Sequence, residues 1–138
     1  EMCIRDSLHG HLENLAAPDD DIVVCGDFNI APSDRDVWSI EAVHGATHVS
    51  EPERERLHRL CSWGLEDVFR RCYPEQDRLY SWWDYRAGNF HKHHGMRIDL
   101  LLVSESVAAR TEFALIDRFA RKGSSPSDHA PVLIDVAA

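Results

Sequence analysis

The chain has 138 residues and a formal net charge of −9, and 43% of its residues are hydrophobic. This length supports a single domain with a hydrophobic core, and the lack of repeats or low-complexity segments excludes fibrous and disordered classes. No apolar run is long enough to cross a membrane and no stretch has the pattern of a signal peptide, so we expect a cytoplasmic location. The four cysteines form no CxxC pair, which favours reduced thiols.

The hydrophobic pattern predicts an α/β chain. It indicates a short helix near 8–15 and a strand at 22–25, followed by a polar loop through Pro32 and a long functional loop to Ser50. A capping box at 50–53 should begin a helix that ends at Gly64. Further elements are expected along the rest of the chain: strands near 80–85, 98–103, 111–116 and 132–136, and a helical turn at 105–110.

The first chemical motif is GDFN at 26–29, at the end of the predicted strand 22–25. Alternate residues of an extended chain share a face, so the side chains of Asp27 and Asn29 can point into one pocket. The alternative is a capped turn, because Asp and Asn are common turn residues near Gly. Taken alone, this short motif favours the turn.

The second motif is SDHAP at 127–131, a loop stiffened by Pro126 and Pro131 and followed by an apolar strand. Asp128 offers a hard oxygen ligand for Mg²⁺, and His129 can hydrogen-bond or protonate a phosphate oxygen. A solvated surface loop is the alternative. The two prolines favour a fixed geometry instead, and therefore a site.

The third candidate is Asp99, which lies in the very apolar segment 98–103. A buried carboxylate needs a hydrogen-bonded partner. We expect that partner to be His129, whose imidazole Asp99 would orient, and the alternative is the nearby Arg97.

An aromatic run at 80–85 has two readings, because Trp and Tyr build β-structure cores and also stack on nucleic acid bases. The histidines at 91–94 lack metal-site spacing, so we expect a solvated or phosphate-facing loop there. The negative net charge argues against nucleic acid binding unless the basic residues form a local groove. The candidates for such a groove are Arg86, Lys92, Arg97, Arg118, Arg121 and Lys122.

Together these motifs resemble the exonuclease III and abasic-site (AP) endonuclease family of the endonuclease/exonuclease/phosphatase superfamily. GDFN and SDH are shared by the whole superfamily. WGLEDVFR at 63–70, SWWDYR at 81–86 and MRIDLLL at 96–102 are similar to the bacterial exonuclease III pattern, and the resemblance runs from about Asp21 to Val136. It implies the C-terminal half of a two-sheet β-sandwich flanked by helices, the α-β-β-α or DNase I-like fold.

The resemblance also implies a DNA-repair phosphodiester hydrolase dependent on Mg²⁺, with Mn²⁺ as an alternative. Asp27 would activate or orient the attacking water, Asn29 would help to place it, and His129 would contact the phosphate with Asp99 behind it. Asp128 would bind metal, with Asp27, Asn29 and His129 as further ligands. The expected activities are 3′-to-5′ exonuclease and AP endonuclease, in a balance that stays open.

The expected partner is double-stranded DNA with abasic sites or 3′ ends, bound by a protein that is monomeric when complete. By resemblance, Trp82, Met96 and Ile98 would form the wedge and lesion pocket. Arg86 and Arg97 would contact phosphates.

The same resemblance leaves the first half of the family domain without a match. We therefore expect 21–138 to be the C-terminal half of a truncated copy, and 1–20 to be a poorly matched N-terminal segment whose start is not native. Two alternatives stay open: a phosphatase or phosphodiesterase of the same superfamily, and a non-catalytic DNA-binding fragment.

Overall fold

A computed structural model describes the backbone of residues 2–138 and the side chains of residues 7–138. The expectation that the start of segment 1–20 is not native concerns residues whose side chains lie in part outside this range, and it stays a prediction. Within the described range, no helix combines the length and the apolar character needed to cross a membrane.

The described residues form six α-helices, three short 3₁₀ helices and five strands. The helices are α1 Met2–Leu15, α2 Ile40–Val43, α3 Glu51–Trp63, α4 Val68–Cys72, α5 Asn89–Lys92 and α6 Glu105–Ala109. The strands are β1 Val23–Asp27, β2 Leu65–Asp67, β3 Asp99–Ser104, β4 Thr111–Ile116 and β5 Val132–Val136. The 3₁₀ helices are Asp34–Asp36, Arg86–Gly88 and Arg118–Lys122.

The strands form two antiparallel sheets, a three-stranded one in the order β1-β3-β2 and a two-stranded one of β4 and β5. The central strand β3 carries side chains into two cores, because successive residues of a strand point to opposite faces. Leu100 and Leu102 pack with residues of α1 and α3, whereas Leu101 and Val103 pack against β5. Helices, the first sheet and the second sheet therefore form successive layers, which confirms the predicted α/β fold class.

Local signals in the sequence define several boundaries. The Ser50 N–H donates to the Glu53 carboxylate at 3.1 Å, so the predicted capping box starts α3. Gly64 follows the helix with a φ of 138°, a conformation that favours glycine. The strands predicted at 111–116 and 132–136 coincide with β4 and β5.

The strand predicted near 80–85 is wrong. Trp82 makes only isolated bridges, to Met96 on one side and to His129 on the other. The Trp83 N–H donates to the Asp128 carbonyl at 3.1 Å beside the second of these bridges, and in the described structure the bridges do not extend into a ladder. The loop predicted between Ala31 and Ser50 also contains a 3₁₀ turn and α2.

Candidate active site

Two carboxylates face each other where β1 ends and β3 begins. Asp27 and Asp99 are register partners in the antiparallel ladder, and directly opposed residues in such a ladder project from the same face. Like charges in this position repel. The pair therefore requires a proton, a hydrogen-bond donor or a cation close by.

His129 supplies the donor from the loop before β5. Its Nδ1 lies 2.9 Å and 3.1 Å from the two carboxylate oxygens of Asp99, and its Nε2 lies 3.8 Å from Asp27 Oδ2. An ionised carboxylate can only accept, so Nδ1–H donates to Asp99 and Nε2 is left on the side of Asp27. The predicted contact between Asp99 and His129 is confirmed.

The environment of Asp99 makes it a weaker acid. Burial raises the pKa of Asp99 above its ordinary value, and the hydrogen bonds of His129 and Ser81 offset this only in part. Ser81 is fully buried, and its Oγ accepts the backbone N–H groups of Ile98 and Asp99, each at 3.1 Å. Our sequence analysis missed Ser81, although a small polar residue at the head of an aromatic run was a usable signal.

A tight turn fixes the orientation of Asp27. The Asn29 N–H donates to Asp27 Oδ1 at 2.8 Å, and Asn29 has a positive φ of 53°. The Asn29 carbonyl in turn accepts from His48 Nδ1 at 2.8 Å. The GDFN motif can therefore form a capped turn and also contribute to a site. The turn engages Oδ1 of Asp27, and Oδ2 of Asp27 lies on the side of His129.

Three of the predicted site residues form a group that could hold a metal ion. One ligand atom each from Asp27, Asp99 and His129 lies within 4.8 Å of the others. Their side chains are 37%, 18% and 31% exposed, so the group is open to solvent and to a substrate.

The predicted metal ligand Asp128 is outside this group. Its Oδ2 accepts the indole N–H of Trp82 at 3.0 Å, so one carboxylate oxygen is already engaged. Asp128, predicted to bind metal, is therefore hydrogen-bonded to Trp82, predicted to contact DNA.

The sequence matches the endonuclease/exonuclease/phosphatase family over residues 3–129. The chain belongs to this family. An exodeoxyribonuclease of Bacillus subtilis is 38% identical over 111 residues, which cover 80% of this chain and 42% of the relative. Exodeoxyribonuclease III of Haemophilus influenzae is 36% identical over 131 residues, covering 91% of this chain and 49% of the relative.

Solved structures of family members have the same fold. An AP endonuclease from Archaeoglobus fulgidus superposes with a TM-score of 0.89 at 29% identity, covering 97% of this chain and 52% of the other. A 3′ phosphatase from Neisseria, bound to a product DNA hairpin, superposes with a TM-score of 0.87 at 34% identity. The match covers 98% of this chain and 51% of the phosphatase chain. The chain spans about half the length of the relatives it matches.

The structure does not favour the predicted DNA contact by Arg97, which stays a prediction. Arg97 is 1% exposed, with Nε 2.7 Å from Asp36 Oδ1 and Nη2 2.6 Å from Asp67 Oδ2. A guanidinium enclosed by two carboxylates cannot reach a phosphate on the surface. The predicted contacts by Met96 and Ile98 also stay predictions, and both side chains are buried in a core cluster with Val37 and other apolar residues.

Trp82 and Arg86 are the predicted DNA-facing residues that are accessible. Trp82 is partly exposed beside His48, with ring centroids 5.9 Å apart. Arg86 is exposed and pairs with Asp84 at 2.6 Å, and the hydrogen bonds from Arg86 lower the pKa of Asp84 to about 2. Their contact with DNA stays a prediction.

Two of the clustered histidines are packing residues, in contrast to the predicted solvated loop. His94 stacks on Trp38 with ring centroids 4.1 Å apart. His93 donates from Nε2 to the Arg78 carbonyl at 2.8 Å, and burial lowers its pKa. His91 is exposed.

Proposed function

We propose that this chain carries the centre of a Mg²⁺-dependent DNA-repair nuclease of the exodeoxyribonuclease III type. The activities would be 3′-to-5′ exonuclease and AP endonuclease, on double-stranded DNA with 3′ ends or abasic sites. The observation that carries the proposal is the opposed pair Asp27 and Asp99 with the His129 imidazole between them. The two exodeoxyribonuclease relatives support this type of activity.

The donor set fits Mg²⁺, which proteins usually bind through one or two carboxylates while substrate phosphates and water complete the shell. Asp27 and Asp99 supply the carboxylates, Asn29 lies next to Asp27 in the turn, and Mn²⁺ favours similar ligands. Asp128, the ligand predicted from the sequence, has Oδ2 engaged by Trp82, so Oδ1 is the atom that could bind an ion. When bound, the ion would neutralise charge that develops on the phosphoryl oxygens.

The protein groups have separable tasks. Asp99 accepts Nδ1–H of His129, which keeps the imidazole in one orientation and one tautomer. Nε2 is then free to hold a proton and donate it to a phosphate oxygen. Asp27 keeps Oδ1 in the turn with the Asn29 N–H, so Oδ2 is the atom available to orient water.

Removal of a 3′ phosphate is a second candidate activity. A solved relative at 34% identity is a 3′ phosphatase bound to a product DNA hairpin. A terminal phosphate monoester presents the same phosphoryl oxygens to the site as a diester does. The two activities would therefore use one centre and differ in the groove around it.

The test is cleavage by the 138-residue chain of two duplexes, one with a single abasic site and one with a 3′ phosphate, in Mg²⁺ or in chelator. Asp27→Asn should reduce metal-dependent cleavage by about 100-fold or more. Asp19→Asn, the same chemical change at an exposed position of the loop before β1, should not. Folded protein that cleaves neither duplex would overturn the proposal. Duplex binding that survived without cleavage would instead support a non-catalytic DNA-binding fragment.

A further inference from the structure

A cavity separate from the candidate active site lies beside the loop that carries His129. It has a volume of about 460 Å³, within the usual range for small-molecule sites. The 3₁₀ helix Arg118–Lys122 and the segment 84–91 form its walls, and Pro126 closes one side. Asp27, Asp99 and His129 do not line it, so it is separate from the candidate active site.

A buried arginine without a carboxylate partner among the described residues lines the cavity. Arg121 is 6% exposed, its Nη1 donates to the Ser127 carbonyl at 2.6 Å, and its Nε has no hydrogen-bond partner. Its guanidinium lies 4.7 Å from the Phe90 ring centroid and 5.4 Å from that of Tyr85. Among the described residues no carboxylate pairs with it. A buried cation in such a setting favours an anion as its partner.

Other basic groups surround the same cavity. Lys122 and His91 line it and are exposed. The lining acid, Asp84, is already paired with Arg86. The cavity is therefore locally positive in a chain whose net charge is −9, and it suits a phosphate group.

An exposed aromatic ring stands beside these cations. Tyr85 is 63% exposed, and its hydroxyl donates to the Pro126 carbonyl at 2.7 Å, which fixes the ring. The other lining aromatic, Phe90, is covered by the guanidiniums of Arg118 and Arg121 at 4.4 Å and 4.7 Å. The Arg121 guanidinium also lies 5.4 Å from the Tyr85 ring, but Tyr85 is more exposed than Phe90 and is therefore the ring better placed to stack on a nucleobase, an interaction that any base can make.

We propose that this cavity binds one nucleotide, with its phosphate at Arg121, Lys122 and His91 and its base on Tyr85. A free nucleoside monophosphate and a nucleotide of single-stranded DNA share this chemistry. The site adjoins the catalytic loop, because Tyr85 and Arg121 hold the carbonyls of Pro126 and Ser127 just before Asp128. Binding at this site requires neither cleavage nor Asp27, so it is independent of the proposed nuclease activity.

The test is calorimetric titration of the 138-residue chain in chelator with dAMP, deoxyadenosine, inorganic phosphate or single-stranded oligodeoxyadenylate. We expect dAMP to bind more tightly than deoxyadenosine or phosphate alone. Tyr85→Ala and Lys122→Ala should each weaken dAMP binding by about fivefold or more. Arg71→Ala removes one positive charge from an exposed residue of α4, outside the cavity lining, and should leave binding unchanged.

The source of the nucleotide follows from the oligonucleotide arm. If the oligonucleotide competes with dAMP for the cavity, the site binds a nucleotide of a DNA strand. If the oligonucleotide does not compete, the site binds the free monophosphate. Tyr85→Phe retains the ring and should retain the preference for dAMP over phosphate. The proposal is overturned by the lack of saturable dAMP binding, or by equal affinities in the parent and in folded Tyr85→Ala and Lys122→Ala, with circular dichroism as the check on folding.

Discussion

Asp27 and Asp99 are cross-strand partners, so one ladder places both carboxylates on the same face of the sheet. His129 lies between them and donates to Asp99 from Nδ1. An opposed pair of acids destabilises a sheet unless a proton or a cation is present. The arrangement is therefore better explained by function than by stability.

Asp99→Asn should separate the contribution of Asp99 to activity from its contribution to stability. An amide can accept from Nδ1–H through one oxygen only, so the His129 imidazole is held less firmly, and we expect the proposed nuclease activity to fall by about 10²- to 10⁴-fold. The pH profile of single-turnover cleavage should change with it. A variant with the parental rate and pH profile would show that Asp99 does not act through His129.

The same variant has a predicted effect on stability. Burial raises the pKa of Asp99 from 3.8, so folding favours its protonated form. As the pH rises from 3.8 through the raised pKa of folded Asp99, ionisation of this carboxyl lowers the free energy of unfolding. Above the raised pKa this loss of stability is complete. At neutral pH the urea midpoint of Asp99→Asn should equal or exceed that of the parent. A urea midpoint lower for Asp99→Asn than for the parent would contradict this expected direction.

Arg97→Met should be strongly destabilising. The change leaves the buried carboxylate of Asp36 and the carboxylate of Asp67 without the guanidinium between them. Loss of one partner from a buried ion pair costs about 3–5 kcal/mol, which urea denaturation would measure. Arg35→Met is a matched control, because Arg35 pairs with Asp77 at the surface, and it should cause a much smaller loss. Similar losses in the two variants would contradict the prediction.

Asp36 should make stability depend on acid pH. Burial favours the neutral form, but Arg97 and Arg70 outweigh it and lower the pKa of Asp36 below 3.8. Its contribution is therefore present above pH 3.8 and is lost as the pH falls through the lowered value. Urea midpoints of the parent should decrease over this range more steeply than those of Asp36→Asn. Parallel curves would show that other carboxylates dominate.

Gly95→Ala should disturb the segment that carries Trp82. An added Cβ would lie 2.5 Å from Trp83 Nε1 and 2.8 Å from the Trp82 carbonyl, and Trp83 is fully buried. Overpacking of this kind costs about 1–3 kcal/mol, which thermal denaturation would detect. Gly10→Ala has open space in α1 and should instead be neutral or stabilising. Equal melting temperatures for the two variants would contradict the prediction.

The outer face of the second sheet should promote self-association. Leu115 and Leu133 are register partners on β4 and β5, and both are exposed beside Phe113. Exposed apolar patches favour association. Replacing both leucines with Thr keeps the β propensity and should reduce any concentration-dependent association seen by sedimentation velocity. Unchanged association would place the contact elsewhere on the surface.

Some contacts and boundaries were predictable because their causes are local or energetically unavoidable. The capping box and Gly64 define α3 from within the segment, and the alternating apolar residues define β4 and β5. The contact between Asp99 and His129 was predictable because a carboxylate in a buried strand needs a partner.

Other features depend on distant segments that no local pattern specifies. Asp36 has no motif around it, yet it is the buried partner that withdraws Arg97 from the surface. Trp82 takes one oxygen of Asp128, and the isolated bridges of Trp82 replace the predicted strand.

The α/β class, the family and the grouping of Asp99 with His129 could be predicted from the chain of residues, because short motifs and strand periodicity record them directly. Which charges face solvent and which neutralise each other in the core depended on how the fold brings distant segments together. The physical reason is that a charged side chain pairs with whatever opposite charge the fold brings within reach. That pairing withdraws Arg97 from the solvent-exposed surface, whereas Arg121 is a buried cation beside an open cavity.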